Sequence, residues 1–328
     1  MSKLNKISSK VLQSNASVKL RVLVDASASP TVLRHAYEQL FPLGDDVSCE
    51  VVGFNDERPH LDAKAELNLL IAGSNSANAS LIVQAAELDI ALVTIATDFP
   101  TLVTQLDAAC EPDDGRESND TINFISNIIV APTPGWLNNV AEQLGATTTI
   151  PAAEQRGTAA ADGNRATAAA AAGQLSDEQL SALFAELGRW VARNLPGLRQ
   201  SFGQAYPFMR RPIALEIIRS AAFVNAIIAA AFFIPGADMP VLTANQARML
   251  FQIAALYGLE PGTARIKEIA VLVAGAFCSR ALARQLVARL TPLAWAIRAT
   301  FGYSTTLAVG HAALTYYEKT TAQGGGDR

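Results

Sequence analysis

The residues best suited to chemistry in this chain lie where its apolar runs end. The run Leu20–Val24 passes into Asp25-Ala26-Ser27-Ala28-Ser29-Pro30-Thr31-Val32, a short stretch rich in hydroxyls. A loop that cradles phosphate after a strand needs two glycines for close backbone approach. It also needs a lysine for the outer phosphates and a Ser or Thr for Mg²⁺, in the spacing Gly-x-x-x-x-Gly-Lys-Ser/Thr. In that register Asp25 and Pro30 stand at the glycine positions, Thr31 at the lysine and Val32 at the magnesium hydroxyl. Asp25 would repel phosphate, and Pro30 removes one cradling N–H. Ser27, Ser29 and Thr31 are the residues of this loop that a nucleotide would touch if one bound. Asp98, after a later apolar run, stands where it would cap the helix that follows.

Other reactive constellations are missing from the sequence. It contains no His-Glu-x-x-His, no Gly-x-Ser-x-Gly and no Cys-x-x-Cys. The three histidines, His35, His60 and His311, are far apart. Cys49, Cys110 and Cys278 have neither metal-ligand nor disulfide-scaffold spacing, which fits reduced cysteines in a cytosolic compartment. No catalytic residue, cofactor or metal site is expected. Residues 1–18 are polar, with no apolar core of signal-peptide length, and read as a disordered arm.

The elements that would position these residues alternate. Leu20–Val24, Cys49–Phe54, Leu67–Ala72, Ile90–Thr97 and Ile122–Ala131 read as strands. Pro30–Phe41, Ser76–Leu88, Phe99–Ala109 and Trp136–Gly145 read as helices, the first with Ser29 as N-cap and Pro30 at its first position. Alternation implies a mostly parallel sheet covered on both faces, an α/β domain over 19–146. The charged stretch Asn55–Glu66 has little helical pattern, so the second and third strands are expected to pair as a hairpin, placing one antiparallel strand at an edge.

That order resembles the small GTPase (Ras- and Era-like) G domain. The resemblance implies a phosphate loop after the first strand, which Asp25–Val32 occupies in eroded form. It implies Asp and Gly after the third strand, where Leu70-Ile71-Ala72-Gly73 keeps only the glycine. It implies Asn-Lys-x-Asp for base reading, where Ile95-Ala96-Thr97-Asp98 keeps only the aspartate.

Charge divides the chain. Through Gly188 there are 11 Lys/Arg against 24 Asp/Glu, a balance of −13; from Arg189 to Lys319 there are 14 against 5, a balance of +9. The basic half could face anionic lipid, an acidic partner or the acidic half itself. Its aromatics are not interleaved with its basic residues, which disfavours nucleic acid. Between the halves, 147–175 is rich in Ala, Thr and Gly and reads as a flexible linker. Ser176 with Gln179 three residues on then looks like a capping box.

The second half, 176–319, reads as apolar helices, followed by a disordered tail over 320–328. Leu180–Leu195 is amphipathic and ends at Pro196, and Pro212 opens a helix that Pro235-Gly236 stops. Ser220–Ala237 and Ala299–Tyr317 carry no Asp, Glu, Lys or Arg. Eighteen residues span about 27 Å, close to the roughly 30 Å hydrocarbon core. The abundant alanine makes a water-soluble bundle an open alternative to membrane insertion.

Asn225 in an Ala-rich helix, then Ile234-Pro235-Gly236-Ala237-Asp238-Met239-Pro240, then Gln246-Ala247-Arg248-Met249 and Ile253–Gly258, resembles the YcjF-like domain of unknown function 697. The likeness runs over roughly Leu195–Glu318 and includes Arg280 within Ser279–Leu286. It implies membrane association and company with Era-like GTPase domains, but no activity. It makes Asn225, Pro235, Asp238, Pro240, Gln246, Arg248, Met249, Tyr257, Gly258 and Arg280 structural or interaction residues. The expectation is a non-catalytic, membrane-associated adaptor or scaffold, its bulk cytoplasmic. Its partners would be a protein, such as a true GTPase, membrane lipid and further copies of itself, with no nucleic acid. Two other readings stay open: a nucleotide-dependent enzyme with an atypical phosphate loop, and a soluble oligomeric scaffold.

Overall fold

The structure is a computed structural model that describes residues 18–41, 47–55, 59–109, 127–131, 175–231, 239–259 and 294–324. The chain divides into two compact units, one around a sheet and one from Phe184 onward.

In the first unit, Leu67–Ala72 (β3) and Leu92–Ala96 (β4) are unbroken apolar runs apart from Asn68 and Thr94, and every residue in them is buried. Such runs belong in the middle of a parallel sheet covered on both faces. Val18–Asp25 (β1) pairs parallel with β3, β3 with β4, and β4 with Ile128–Val130 (β5). Val47–Phe54 (β2) lies outside β1, giving the order β2-β1-β3-β4-β5 in an all-parallel sheet.

This corrects the expected hairpin. β1 stands between β2 and β3, so those two strands do not pair. The helix that carries the crossover from β1 to β2 is Pro30–Leu40 (α1), which buries Val32, Ala36 and Leu40. Asn55–Glu66 lacks a helical pattern because it need only return the chain from β2 past β1 to β3. Asn68 ties that return in place: its side-chain N–H₂ donates to Asp62 C=O, and its Oδ1 accepts from Asp62 N–H, both at 3.1 Å.

Ala77–Glu87 (α2) and Phe99–Ala109 (α3) cover one face of the sheet. Ala79, Leu81, Ile82, Leu102 and Leu106 pack there on Leu23, Leu70, Ala72 and Ala96. The expected helix Trp136–Gly145, the arm and most of the linker lie outside the described residues.

The second unit takes in the C-terminal part of Asp177–Asn194 (α4), a helix that opens with the capping box read from sequence. Gln179 N–H donates to Ser176 Oγ at 3.2 Å and Ser176 N–H donates to Gln179 Oε1 at 2.9 Å. Arg199–Ala205 (α5), Pro207–Ala231 (α6), Met239–Leu256 (α7) and Ala294–Gly324 (α8) complete it. α6 begins five residues before the expected Pro212, because Pro207 supplies the N-terminal proline and Pro212 is absorbed inside the helix. α8 runs to Gly324, past the expected end of the helical region at 319.

α6 and α8 lie antiparallel. Arg211 meets Glu318 at 2.7 Å near one end, and Gly302 meets Asn225 and Ala229 near the other. A Cβ on Gly302 would come within 2.8 Å of Asn225 C=O, so the glycine permits the close approach. Among the described residues one helix, α6, is long and apolar enough to cross a membrane. Ala299–Tyr317, the second expected span, lies within α8, whose hydroxyls and tyrosines lower its apolarity.

Candidate functional site

In a doubly wound sheet, ligands bind beyond the C-terminal ends of the strands, where the order of strand addition reverses. Here that switch point lies between β1 and β3. β1 ends at Asp25 and β3 is followed by Gly73, so the sequence candidates do converge there.

The switch point is filled by the chain itself. Asp25 is fully buried and its carboxylate accepts five hydrogen bonds. Oδ1 takes Ser27 N–H at 2.9 Å and Ser27 Oγ–H at 2.8 Å. Oδ2 takes Gly73 N–H at 2.9 Å, Asn75 N–H at 3.2 Å and Asn78 Nδ2–H at 2.7 Å. Ser27 Oγ in turn accepts from Ser74 N–H at 2.9 Å. These backbone donors are of the kind that would hold a phosphate oxygen, and here they hold Asp25. Burial pushes its carboxyl up, but the bonds from Asn78, Ser27 and Gly73 outweigh that and hold it below the usual carboxylate range.

Gly73 is needed for a reason other than phosphate sensing. A Cβ there would lie 2.5 Å from the Ser27 carbonyl carbon and Oγ. The two loops close on each other at that point.

The remaining nucleotide candidates are dispersed into local structure. Ser29 occupies the N-cap position of α1 without a side-chain capping bond, and its N–H donates to Thr97 Oγ1 at 3.4 Å. Thr31 is half-buried in the first turn of α1. Asp98 Oδ1 accepts from Thr101 N–H at 3.4 Å, the geometry of an N-cap on α3.

In the helical unit the structure brings together residues that the sequence keeps far apart. Asn225 Nδ2 on α6 donates to Thr306 Oγ1 on α8 at 2.8 Å, and Gln246 Nε2 on α7 donates to the same oxygen at 3.1 Å. Thr306 Oγ1 donates to Gly302 C=O at 2.7 Å, and Asn245 Nδ2 donates to Asn225 Oδ1 at 2.8 Å. Asn225, Gln246 and Thr306 are fully buried. This is a polar joint among three apolar helices. Sequence reading found Asn225 and Gln246 but missed Asn245 and Thr306, since a threonine in a hydroxyl-rich helix carries no distinguishing signal.

Met249 is buried in the same unit, whereas Arg248 and Pro240 are exposed. Gly258 has φ +67, and Leu259 N–H reaches Ala254 C=O at 3.1 Å, so Tyr257-Gly258 ends α7 in a Schellman turn. Tyr257 also lies under the Arg210 guanidinium at 5.9 Å and donates to Glu318 at 3.5 Å. Burial and the Glu318 charge push its hydroxyl far above the usual tyrosine range. Pro235, Asp238 and Arg280 lie outside the described residues.

Among the described residues the other reactive groups do not cluster into a site. Burial pushes the Cys49 thiol up to about 11, leaving it a poor nucleophile at neutral pH. His60 borders a shallow groove of about 390 Å³ with Ser80, Gln84 and Glu87. Among the described residues no group of three His, Cys, Asp or Glu could hold a metal ion. No family model, curated protein or solved structure matches the chain.

Proposed function

We propose that this chain is a non-catalytic, membrane-associated adaptor or scaffold, with its α/β unit engaging a protein partner and its helical unit anchoring the chain or assembling copies of it. The observation that carries the reading is the buried Asp25 carboxylate at the switch point. A domain that fills its own ligand position with a fixed anion keeps the scaffold of a nucleotide-binding fold and gives up its chemistry. A true GTPase would be a fitting partner, since the eroded loop leaves hydrolysis to another protein.

Membrane association is supported by the outward face of α6. Phe223, Val224 and Ile227 are exposed there at 63%, 42% and 54%. The rival scaffold reading, in which those side chains meet another copy in water, is favoured by the polar joint at Asn225, because buried amides are common register devices in soluble bundles.

Two measurements test these points. Purified protein should contain no stoichiometric nucleotide, and titration with GTP or ATP plus Mg²⁺ should give no heat; bound nucleotide at one per chain defeats the non-catalytic reading. Carbonate washing of membranes should leave the full chain in the pellet, and release into the supernatant gives precedence to the soluble scaffold.

A further inference from the structure

We propose that the first half of α7 is a strap that unclasps by itself, uncovering Asn225 while α6 and α8 stay paired. This goes beyond the adaptor reading above and does not depend on it.

The two halves of α7 are held by different forces. In the second half Met249, Leu250, Phe251, Ile253 and Leu256 are buried. Leu256 lies so close to α5 that a Cβ on Gly203 would come within 2.4 Å of its Cδ2. Gln204 Nε2 donates to Ala255 C=O at 2.8 Å, a second tie to α5. The first half has little of this. Over 240–247 only Leu242 and Gln246 are buried, and Pro240, Val241 and Ala244 are exposed. Apolar burial therefore fixes the C-terminal half far more firmly than the N-terminal half.

What holds the first half is a clasp of two amides. Asn245 Nδ2 donates to Asn225 Oδ1 at 2.8 Å and to Ala221 C=O at 3.1 Å, and Gln246 Nε2 donates to Thr306 Oγ1 at 3.1 Å. Water can replace such bonds at small net cost. The clasp is also incomplete. Thr243 Oγ1 and Gln246 Oε1, one turn apart on α7, are buried and have no hydrogen-bond partner among the described residues. Both gain one from solvent when the strap opens, which offsets part of the cost of opening. The pair beneath does not need the clasp. Thr306 Oγ1 still accepts from Asn225 Nδ2 at 2.8 Å and donates to Gly302 C=O at 2.7 Å. Opening therefore breaks none of these bonds between α6 and α8. It frees two acceptors one turn apart on α6, Ala221 C=O and Asn225 Oδ1, for a donor from outside.

The test is amide hydrogen exchange of the full chain, read by mass spectrometry over 243–247 and over 250–256. Corrected for intrinsic rates, 243–247 should exchange faster by about tenfold or more. Asn245→Ser keeps the helix propensity but removes two of the three clasp bonds. It should speed exchange over 243–247 by about tenfold and leave 250–256 and the thermal midpoint unmoved. Thr243→Val combined with Gln246→Met puts apolar atoms in place of the two unpartnered ones and should slow 243–247 by about tenfold. Equal rates in the two halves of wild-type α7 overturn the proposal. So does an Asn245→Ser effect of equal size in both halves, because the helix then opens as one unit. Faster exchange over 243–247 in the Thr243→Val, Gln246→Met variant also overturns it, since those two atoms would then be holding a buried water. Circular dichroism checks that each variant folds; if the double variant does not, wild type and Asn245→Ser decide. Nucleotide titration and carbonate extraction bear on neither rate, so the strap and the adaptor reading fail separately.

Discussion

Replacing Asp25 should be costly to the fold itself. Its carboxylate gathers five donors, of which Gly73 N–H and Asn78 Nδ2–H are buried. The donors of Ser27 and Asn75 are less enclosed and can turn to water. An unsatisfied buried donor costs about 1–3 kcal/mol, so Asp25→Ala should lose roughly 2–6 kcal/mol from the two buried ones. With a urea m value near 2 kcal/mol/M, a loss of about 3 kcal/mol lowers the midpoint by roughly 1.5 M. Asp25→Asn is the sharper variant. It keeps the shape but points an N–H₂ at a ring of donors, so it should be nearly as unstable as the alanine variant. Formate, a carboxylate small enough to enter the vacated cradle, should raise the midpoint of Asp25→Ala while leaving wild type unmoved. Urea unfolding followed by circular dichroism, with and without formate, reads all three proteins. An Asp25→Asn midpoint equal to wild type would refute the argument, since it would mean that neither the charge nor the acceptor pattern matters.

The same geometry fixes other outcomes. Because the folded Asp25 carboxyl is held below its ordinary value of 3.8, its contribution is present above that pH and disappears as pH falls through the folded value; Asp25→Asn should flatten that acid limb of the stability profile. Gly73→Ala drives a methyl to 2.5 Å from the Ser27 backbone and should cost about 1–3 kcal/mol in the same urea assay, although alanine is ordinarily harmless after a strand. Thr306→Val removes the oxygen shared by Asn225 and Gln246 and should destabilise the helical unit by about 2–4 kcal/mol, read by thermal unfolding; Thr306→Ser should recover most of it. Cys49 should react with a maleimide far more slowly than a free thiol at pH 7.5 and gain rate as pH approaches 11, measured by mass spectrometry.

The strands were legible where burial is one-sided in meaning. Leu67–Ala72 is bounded in the structure as it reads in the sequence, since a run of that kind has no other place in an α/β unit. The pairing of β2 was not legible, because strand neighbours are set by the crossover through α1, and nothing in Cys49–Phe54 records which strand lies beside it. At the switch point Asp25 and Pro30 show in the sequence that the phosphate-loop pattern is not met. It did not expose what Asp25 does instead, because Gly73, Asn75 and Asn78 are about 50 residues away and their donors are mostly backbone, which has no side-chain signature.

The ambiguity of α6 has a physical origin. Hydropathy sums every residue of Pro207–Ala231 without regard to side, so an apolar inner face and an apolar outer face contribute alike. The structure separates them. Ile213, Ile217, Ala221, Ala222, Asn225 and Ala229 are buried, and 44% of the most apolar window lies inside the fold. That face would be apolar in water or in lipid, and it carries no information about either. The discriminating residues are those on the opposite face, where Arg219 and Ser220 give way to Phe223, Val224 and Ile227 within two turns. A soluble surface of this length normally interrupts such a stripe with charge. Those exposed apolar residues, and not the summed hydropathy of the helix, are what set α6 apart from the core helix of a soluble bundle. Lipid or a facing helix would cover them equally well, so the face that decides between anchor and scaffold is this outward one and not the buried one.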